Sequence, residues 1–257
     1  MVVLRPDFDI EAFRTSLVSA DERVLMLDYD GTLAPFTLHR DRALPYKGVR
    51  ERLEVLHGQK QTRLVLISGR TAPDLVRLLD MDPCPEIWGS HGWERFRDGR
   101  YDAPMVPEQW RHALTEARDA CLSIAGEDRC EFKPASVAVH WRGQENGLRE
   151  DVERKLLPLW TGIASRLKLE LQQFDGGMEL RCPGRDKGAS VRTILSESPP
   201  GAVAAYLGDD RTDEDAFAAI RGRGVAVLVR KELRDTNADL WLTPPEELLE
   251  FMDLWIN

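Results

Sequence analysis

Two carboxylates stand two residues apart, at Asp28 and Asp30, directly after the apolar run Val24-Leu25-Met26-Leu27, and Gly31-Thr32 follows at once. On an extended backbone residues i and i+2 point to the same side, so both carboxylates can face one pocket. Neighbouring carboxylates repel each other unless a cation or a shared proton lies between them. The pair therefore suits a metal site or an acid and nucleophile pair. An ionised Asp28 can attack phosphorus and form an aspartyl-phosphate. Asp30 can protonate a departing alcohol and then act as base towards water. Gly31 permits the sharp turn. Taken alone, the same spacing also suits an Asx turn closing a strand.

Three further segments decide between these readings. Asp209, Asp210 and Asp213 form an acidic loop after the apolar residues 204–207. Oxygen-only ligands of this kind suit Mg2+, which takes one or two carboxylates with water and substrate phosphate. Asp213 also reads as the cap of a helix beginning near Glu214. Together with Asp28 these side chains put about three negative charges beside a phosphate, which requires a divalent metal and a lysine. Lys187 can be that lysine, just ahead of a helix whose first amides help to hold an anion. Ser68, in Ser68-Gly69-Arg70, can donate to a phosphoryl oxygen, or end its strand and cap the next helix.

These motifs need strand ends to carry them. Residues 24–27, 64–67, 86–90, 203–207 and 225–229 read as strands. Residues 47–57, 72–79, 188–195, 214–220 and 245–254 read as helices, with Pro73 in a first turn where proline is tolerated. Short apolar strands alternating with helices predict a parallel sheet covered on both faces. Ligands of such sheets bind at the carboxyl ends of the strands, where Asp28, Ser68 and Asp209 all fall. The middle differs: helix 107–124, strands 130–133 and 137–141, helix 148–164 interrupted or kinked around Pro158, then strands 169–174 and 178–181 about the turn Asp175-Gly176-Gly177. That order predicts an antiparallel sheet with helices on one face. The expected layout is an α/β core of residues 1–103 and 184–257 with an insert at 104–183.

The chain has 257 residues, with 42% apolar and 31% charged content, enough for an ordinary globular core. A formal charge of −9 disfavours nucleic-acid binding but not a small anionic substrate, because local cations reverse the field in one cleft. Cys84, Cys121, Cys130 and Cys182 lack CxxC spacing and are expected to be buried thiols in a reducing cytosol. No basic segment followed by an apolar stretch opens the chain, and no apolar run approaches the ~20 residues of a membrane helix, so a cytoplasmic location is expected. His39-Arg40-Asp41 and Gly222-Arg223-Gly224 echo kinase and dinucleotide motifs but lack the required context.

The segments Asp28–Thr32, Ser68, Lys187 and Gly208–Asp213 resemble the four motifs of the haloacid dehalogenase superfamily of phosphohydrolases. Gly89-Ser90-His91-Gly92-Trp93-Glu94, Phe132-Lys133-Pro134, Val139-His140-Trp141-Arg142, Gly177-Met178-Glu179-Leu180-Arg181 and residues 206–217 narrow the likeness to its trehalose-6-phosphate phosphatase family. The resemblance implies a Rossmann-like core, an inserted α/β cap of the C2 type, and Mg2+. It implies metal binding by Asp28, the Asp30 carbonyl and Asp209, with Asp210 and Asp213 as further candidates. Lys187 and Ser68 would hold phosphate, and Arg70, His91 and Glu94 would bind substrate from the core side of the cleft. From the cap, Lys133, His140, Arg142 and Glu179 would face the core and contact sugar or phosphate.

Read from the residues alone, His140 and Arg142 share one strand face that solvent could cover, a cross-strand ion pair accounts for Glu179, and His91 between glycines suits a turn. The expected function is Mg2+-dependent hydrolysis of trehalose 6-phosphate. The alternatives are a phosphatase for another glycosyl phosphate, such as a glucosyl- or mannosylglycerate precursor, a hexose-phosphate mutase, or a silent sugar-phosphate-binding module. A sugar-phosphate synthase is the partner such a protein would accompany.

Overall fold

The computed structural model describes residues 1–37, 40–141, 143, 146–174 and 176–256, which form two compact units, Met1–Asp102 with Asp186–Asn257 and Ala103–Arg185. The first unit opens with β1 (Val2–Val3), α1 (Ile10–Ser19), β2 (Arg23–Leu27), α2 (Val49–Gly58), β3 (Thr62–Ile67), α3 (Ala72–Leu79), β4 (Glu86–Gly89), β5 (Glu94–Arg97) and β6 (Arg100–Asp102). The second holds α4 (Glu108–Ala125), β7 (Cys130–Lys133), β8 (Ser136–His140), α5 (Asn146–Asp151), α6 (Leu157–Leu167), β9 (Glu170–Phe174) and β10 (Gly177–Arg181). The chain then returns to the first unit with α7 (Lys187–Ser196), β11 (Val203–Gly208), α8 (Glu214–Ile220), β12 (Val225–Val229), β13 (Leu240–Leu242) and α9 (Glu246–Ile256).

Among the described residues the large sheet runs β1-β13-β12-β11-β2-β3-β4-β5-β6. The six strands from β13 to β4 are parallel, and β1, β5 and β6 add antiparallel edges. Both faces are buried, so the inner strands read as continuous apolar runs. Leu25, Leu27, Leu64, Leu66, Ala205 and Leu207 point into one core, with α2, α3 and α9. Val24, Met26, Val65, Ile67, Ala204 and Tyr206 point into the other, with α7 and α8. Continuing that alternation, Asp28 leaves β2 on the α7 side, and Tyr29 enters the opposite core, where its hydroxyl donates to the Ala43 carbonyl at 2.6 Å.

The second unit pairs its strands in the order β7-β8-β10-β9, all antiparallel. Val137, Val139, Met178 and Leu180 share the apolar face, and Glu131, Lys133, His140 and Glu179 occupy the other. One expectation holds here and one changes. The helix read across 148–164 is interrupted by a π-helical turn at Val152–Leu156, and α6 restarts with Pro158 in its first turn. Proline supplies no amide to the preceding turn, so the irregularity lies just before it. Cys121 and Cys130 are not thiols but a disulfide, with Cα atoms 6.3 Å apart, while Cys84 and Cys182 are free. The 3-10 turn Glu127–Arg129 folds the end of α4 back onto β7, and no local spacing announces that pairing.

Candidate active site

Parallel register aligns the ends of β2 and β11: Leu27 is opposite Leu207, and the Asp28 amide donates to the Leu207 carbonyl at 2.8 Å. The next residues of each strand are therefore neighbours. Gly31, at φ +87°, completes the approach, because a Cβ there would lie 2.2 Å from Asp209 Oδ2. Asp28, Asp209 and Asp213 consequently offer carboxylate oxygens within 4.8 Å of one another, all buried.

Lys187 opens α7, whose N-cap Asp186 accepts from the Ala189 amide at 2.6 Å. Its Nζ donates to Asp28 Oδ1 and to Asp213 Oδ1, both at 2.7 Å. Asp213 also accepts from the Tyr206 hydroxyl at 2.5 Å and from the amides of Asp209 and Asp210 at 3.0 and 2.9 Å. Its oxygens are thus committed to holding the lysine and the loop. Thr32 donates to Asp28 Oδ2 at 3.3 Å. The Asp209 carboxylate accepts no hydrogen bond among the described residues.

One ammonium faces three carboxylates, and the charge does not balance. Burial, added to by the nearby Asp213 and Asp30 charges, pushes the Asp28 carboxyl up to about 7 even though Lys187 pulls it down. Burial and the Asp28 and Asp213 charges raise Asp209 well above the usual carboxylate range. Burial opposes the charge of Lys187, but Asp213 and Asp28 outweigh it and hold the ammonium charged. An unpaired buried carboxylate beside two others is what a hard divalent cation requires, so this donor set fits Mg2+.

Asp30 lies beside this cluster, and Arg70 grips it as a fork, Nε at 2.6 Å and Nη2 at 2.7 Å from its two oxygens. The guanidinium also lies 5.7 Å from the Tyr29 ring centroid. Ser68 accepts from the Arg70 amide at 3.2 Å, and Thr71, not Ser68, caps α3. His91 adopts φ 55° in the turn after β4 and donates its amide to the Ser68 carbonyl at 2.9 Å. Its ring lies against Gly69, where a Cβ would sit 2.7 Å from it. Glu94 is buried and accepts from the Ser90 hydroxyl, the Tyr101 hydroxyl at 2.5 Å and the Ala72 amide at 3.4 Å. Asp210 caps the turn before α8.

In the second unit, Glu179 Oε1 accepts from Lys133 Nζ at 2.8 Å and Ser136 Oγ at 2.6 Å. His140 Nε2 is 3.0 Å from Glu131 Oε2, and its ring is 5.3 Å from that of Phe174. Three of the four expected residues of this unit therefore share one polar face; Arg142 lies outside the described residues. Arg181 pairs with Glu170 on β9, and Glu179 pairs with Lys133 across the intervening β8.

Sequence reasoning assigned no role to Tyr206, Thr32 or Arg70 as partners of Asp213, Asp28 and Asp30. For Tyr206 a signal existed: a phenol on the inward phase of an apolar strand, two residues before Gly208, needs a buried partner.

The parallel sheet, with its carboxylate-lysine cluster at the strand ends, has the fold of solved haloacid dehalogenase-like hydrolases. A structure titled as a haloacid dehalogenase-like hydrolase from Bacteroides thetaiotaomicron superposes with TM-score 0.64 at 17% identity, covering 90% of this chain and 98% of that one. The trehalose-phosphatase family model matches residues 26–243, and the chain belongs to that family. It is 30% identical to the trehalose-phosphate phosphatase of Mycobacterium ulcerans over 88% of its own length and 60% of that protein's. The C-terminal domain of C. albicans trehalose-6-phosphate phosphatase has the same fold, with TM-score 0.82 and 20% identity across 100% of this chain and 99% of that one. The chain spans about 60% of the length of the mycobacterial relatives it matches.

Proposed function

We propose that this chain hydrolyses trehalose 6-phosphate to trehalose and inorganic phosphate with Mg2+ bound at Asp28 and Asp209. The observation that carries the chemistry is the buried Asp28 carboxylate, 2.7 Å from Lys187, at the end of a central parallel strand and beside the unpaired Asp209. The sugar is supported by membership of the family and by the names of its relatives.

Asp28 attacks phosphorus in line, forming an Asp28–phosphorus bond as the bond to the sugar oxygen breaks. Asp30 gives that oxygen its proton, then takes one from the water that cleaves the aspartyl-phosphate. Lys187 and Ser68 hold the phosphoryl oxygens. Asp213 orients Lys187 and is not itself a ligand, and Arg70 orients Asp30. When bound, Mg2+ neutralises charge on the transferring phosphoryl group and keeps Asp28 ionised. On the polar face of the second unit Lys133, His140 and Glu179 offer the mixed donors and acceptors that sugar hydroxyls need.

Phosphate release measured over a panel at equal concentrations tests the substrate. Trehalose 6-phosphate is expected to exceed glucosyl- and mannosylglycerate phosphates and hexose phosphates in kcat/KM. Equal or greater activity on any of these overturns the assignment.

A further inference from the structure

The loop that presents Asp209 is fixed from two sides, and only one of them belongs to the acidic motif. On the inner side Asp213 accepts the amides of Asp209 and Asp210. On the outer side Arg234, from the segment between β12 and β13, donates through Nε to the Asp209 carbonyl at 3.3 Å and through Nη2 to the Asp210 carbonyl at 2.7 Å. Its Nη1 reaches the Asp235 carbonyl at 2.8 Å and also meets Glu214 Oε1. Glu214 is held in turn by Thr236 Oγ1 at 2.8 Å, the Asn237 amide at 2.8 Å and Asn237 Nδ2 at 3.0 Å. Arg230 adds a longer contact to the Asp209 carbonyl, 3.4 Å.

A planar guanidinium that reaches three carbonyls and a carboxylate has its orientation determined by all four. The peptide plane before Asp209 is held by its own amide, and the plane after it is held from both edges, by the Asp210 amide on Asp213 and the Asp209 carbonyl on Arg234. The direction of the Asp209 Cα–Cβ bond is then set before any cation arrives. The tolerance is small, because the carboxylate lies against Gly31, where even a methyl group would overlap it.

We infer that Arg234, seated by Glu214, is a positioning residue for the cation: it preorganises Asp209 through the backbone and touches neither substrate nor metal. The inference rests on the Mg2+ reading of the Asp28–Asp209 site. Its sign separates it from simple electrostatics. A positive charge this close to a divalent cation repels it, so on charge alone Arg234→Met would tighten Mg2+ binding and Arg234→Lys would leave it unchanged. Positioning requires that both weaken it, because lysine keeps the charge and loses the fork.

Titrating Mg2+ calorimetrically into the full chain reads this without turnover. Dissociation constants are expected to rise about 10-fold or more for Arg234→Met and Arg234→Lys, the usual scale for losing a group that orients a ligand. Glu214→Gln should weaken binding in the same direction, and added to Arg234→Met it should change little further. Near-ultraviolet circular dichroism checks that each variant keeps its packing, and the lysine variant carries the test if the methionine variant does not fold. Wild-type affinity in the lysine variant, or tighter binding in the methionine variant, overturns the inference. Absence of Mg2+ binding by the wild-type chain would instead overturn the metal-site reading itself.

Discussion

Asp28 and Asp30 belong to one motif but meet opposite surroundings. Asp28 is buried with Asp209 and Asp213 against a single lysine, whereas Asp30 is partly exposed and held by both arms of Arg70. In the proposed mechanism the first attacks phosphorus and the second moves the proton. Arg70 also stood among the expected substrate contacts, and the two roles differ in a measurable way. A group that orients the acid matters most when the leaving oxygen is basic. Arg70→Ala is therefore expected to lower kcat/KM about 10–100-fold on simple alkyl phosphates and far less on nitrophenyl phosphate, giving a steeper leaving-group dependence. An unchanged slope across these sugar-free esters would assign Arg70 to the sugar instead.

The elements that carry the site show where a sequence is readable. Strands β2, β3, β11 and β12 are legible because burial on both faces leaves unbroken apolar runs. Strands β1 and β13 are too short to show a period, and β5 places Glu94, Arg95 and Arg97 at a sheet margin where charge is no bar to pairing. Motif residues such as Asp28, Lys187 and Asp209 could be read from type and position. Their partners were less legible: Tyr206 announces only that it needs a buried partner, and Arg70 and Arg234 acquire meaning only when strands and loops distant in the chain come together. Gly31 lies at that junction. Gly31→Ala should destabilise the chain by about 1–2 kcal/mol through its left-handed backbone alone. By displacing Asp209 it should also cost about 100-fold in turnover. Denaturant unfolding and phosphate release measure the two separately, and an alanine variant with wild-type turnover would show that the close approach of the loops is dispensable.

For the molecule as a whole, the crowded carboxylates set a stability cost that a cation relieves. Burial pushes Asp28 from 3.8 to about 7, so between those values the folded chain keeps a proton that the unfolded chain releases. The Asp28 contribution to the stability of the metal-free chain then falls as pH rises from about 4 to about 7, and His57, which burial lowers below 6.5, works against that fall only as pH approaches that value. Glu197, which Arg95 holds down to about 2, contributes its stability above about 4.5 and leaves the trend in place at higher pH. In chelator the unfolding midpoint is expected to drop roughly 5–10 °C from pH 5 to pH 8, and Mg2+ should restore more of it at pH 8 than at pH 5. A midpoint that rises over that range without metal would mean the carboxylates are not crowded as described. The central claim, that Asp28 is the nucleophile of a trehalose 6-phosphate phosphatase, is tested most directly by phosphate release from that substrate at saturating Mg2+ for the wild-type chain and Asp28→Asn. If Asp28 is the nucleophile, the wild type releases phosphate steadily and the asparagine variant loses at least about 1,000-fold. No release by the wild type, or equal rates for the two proteins, would contradict it.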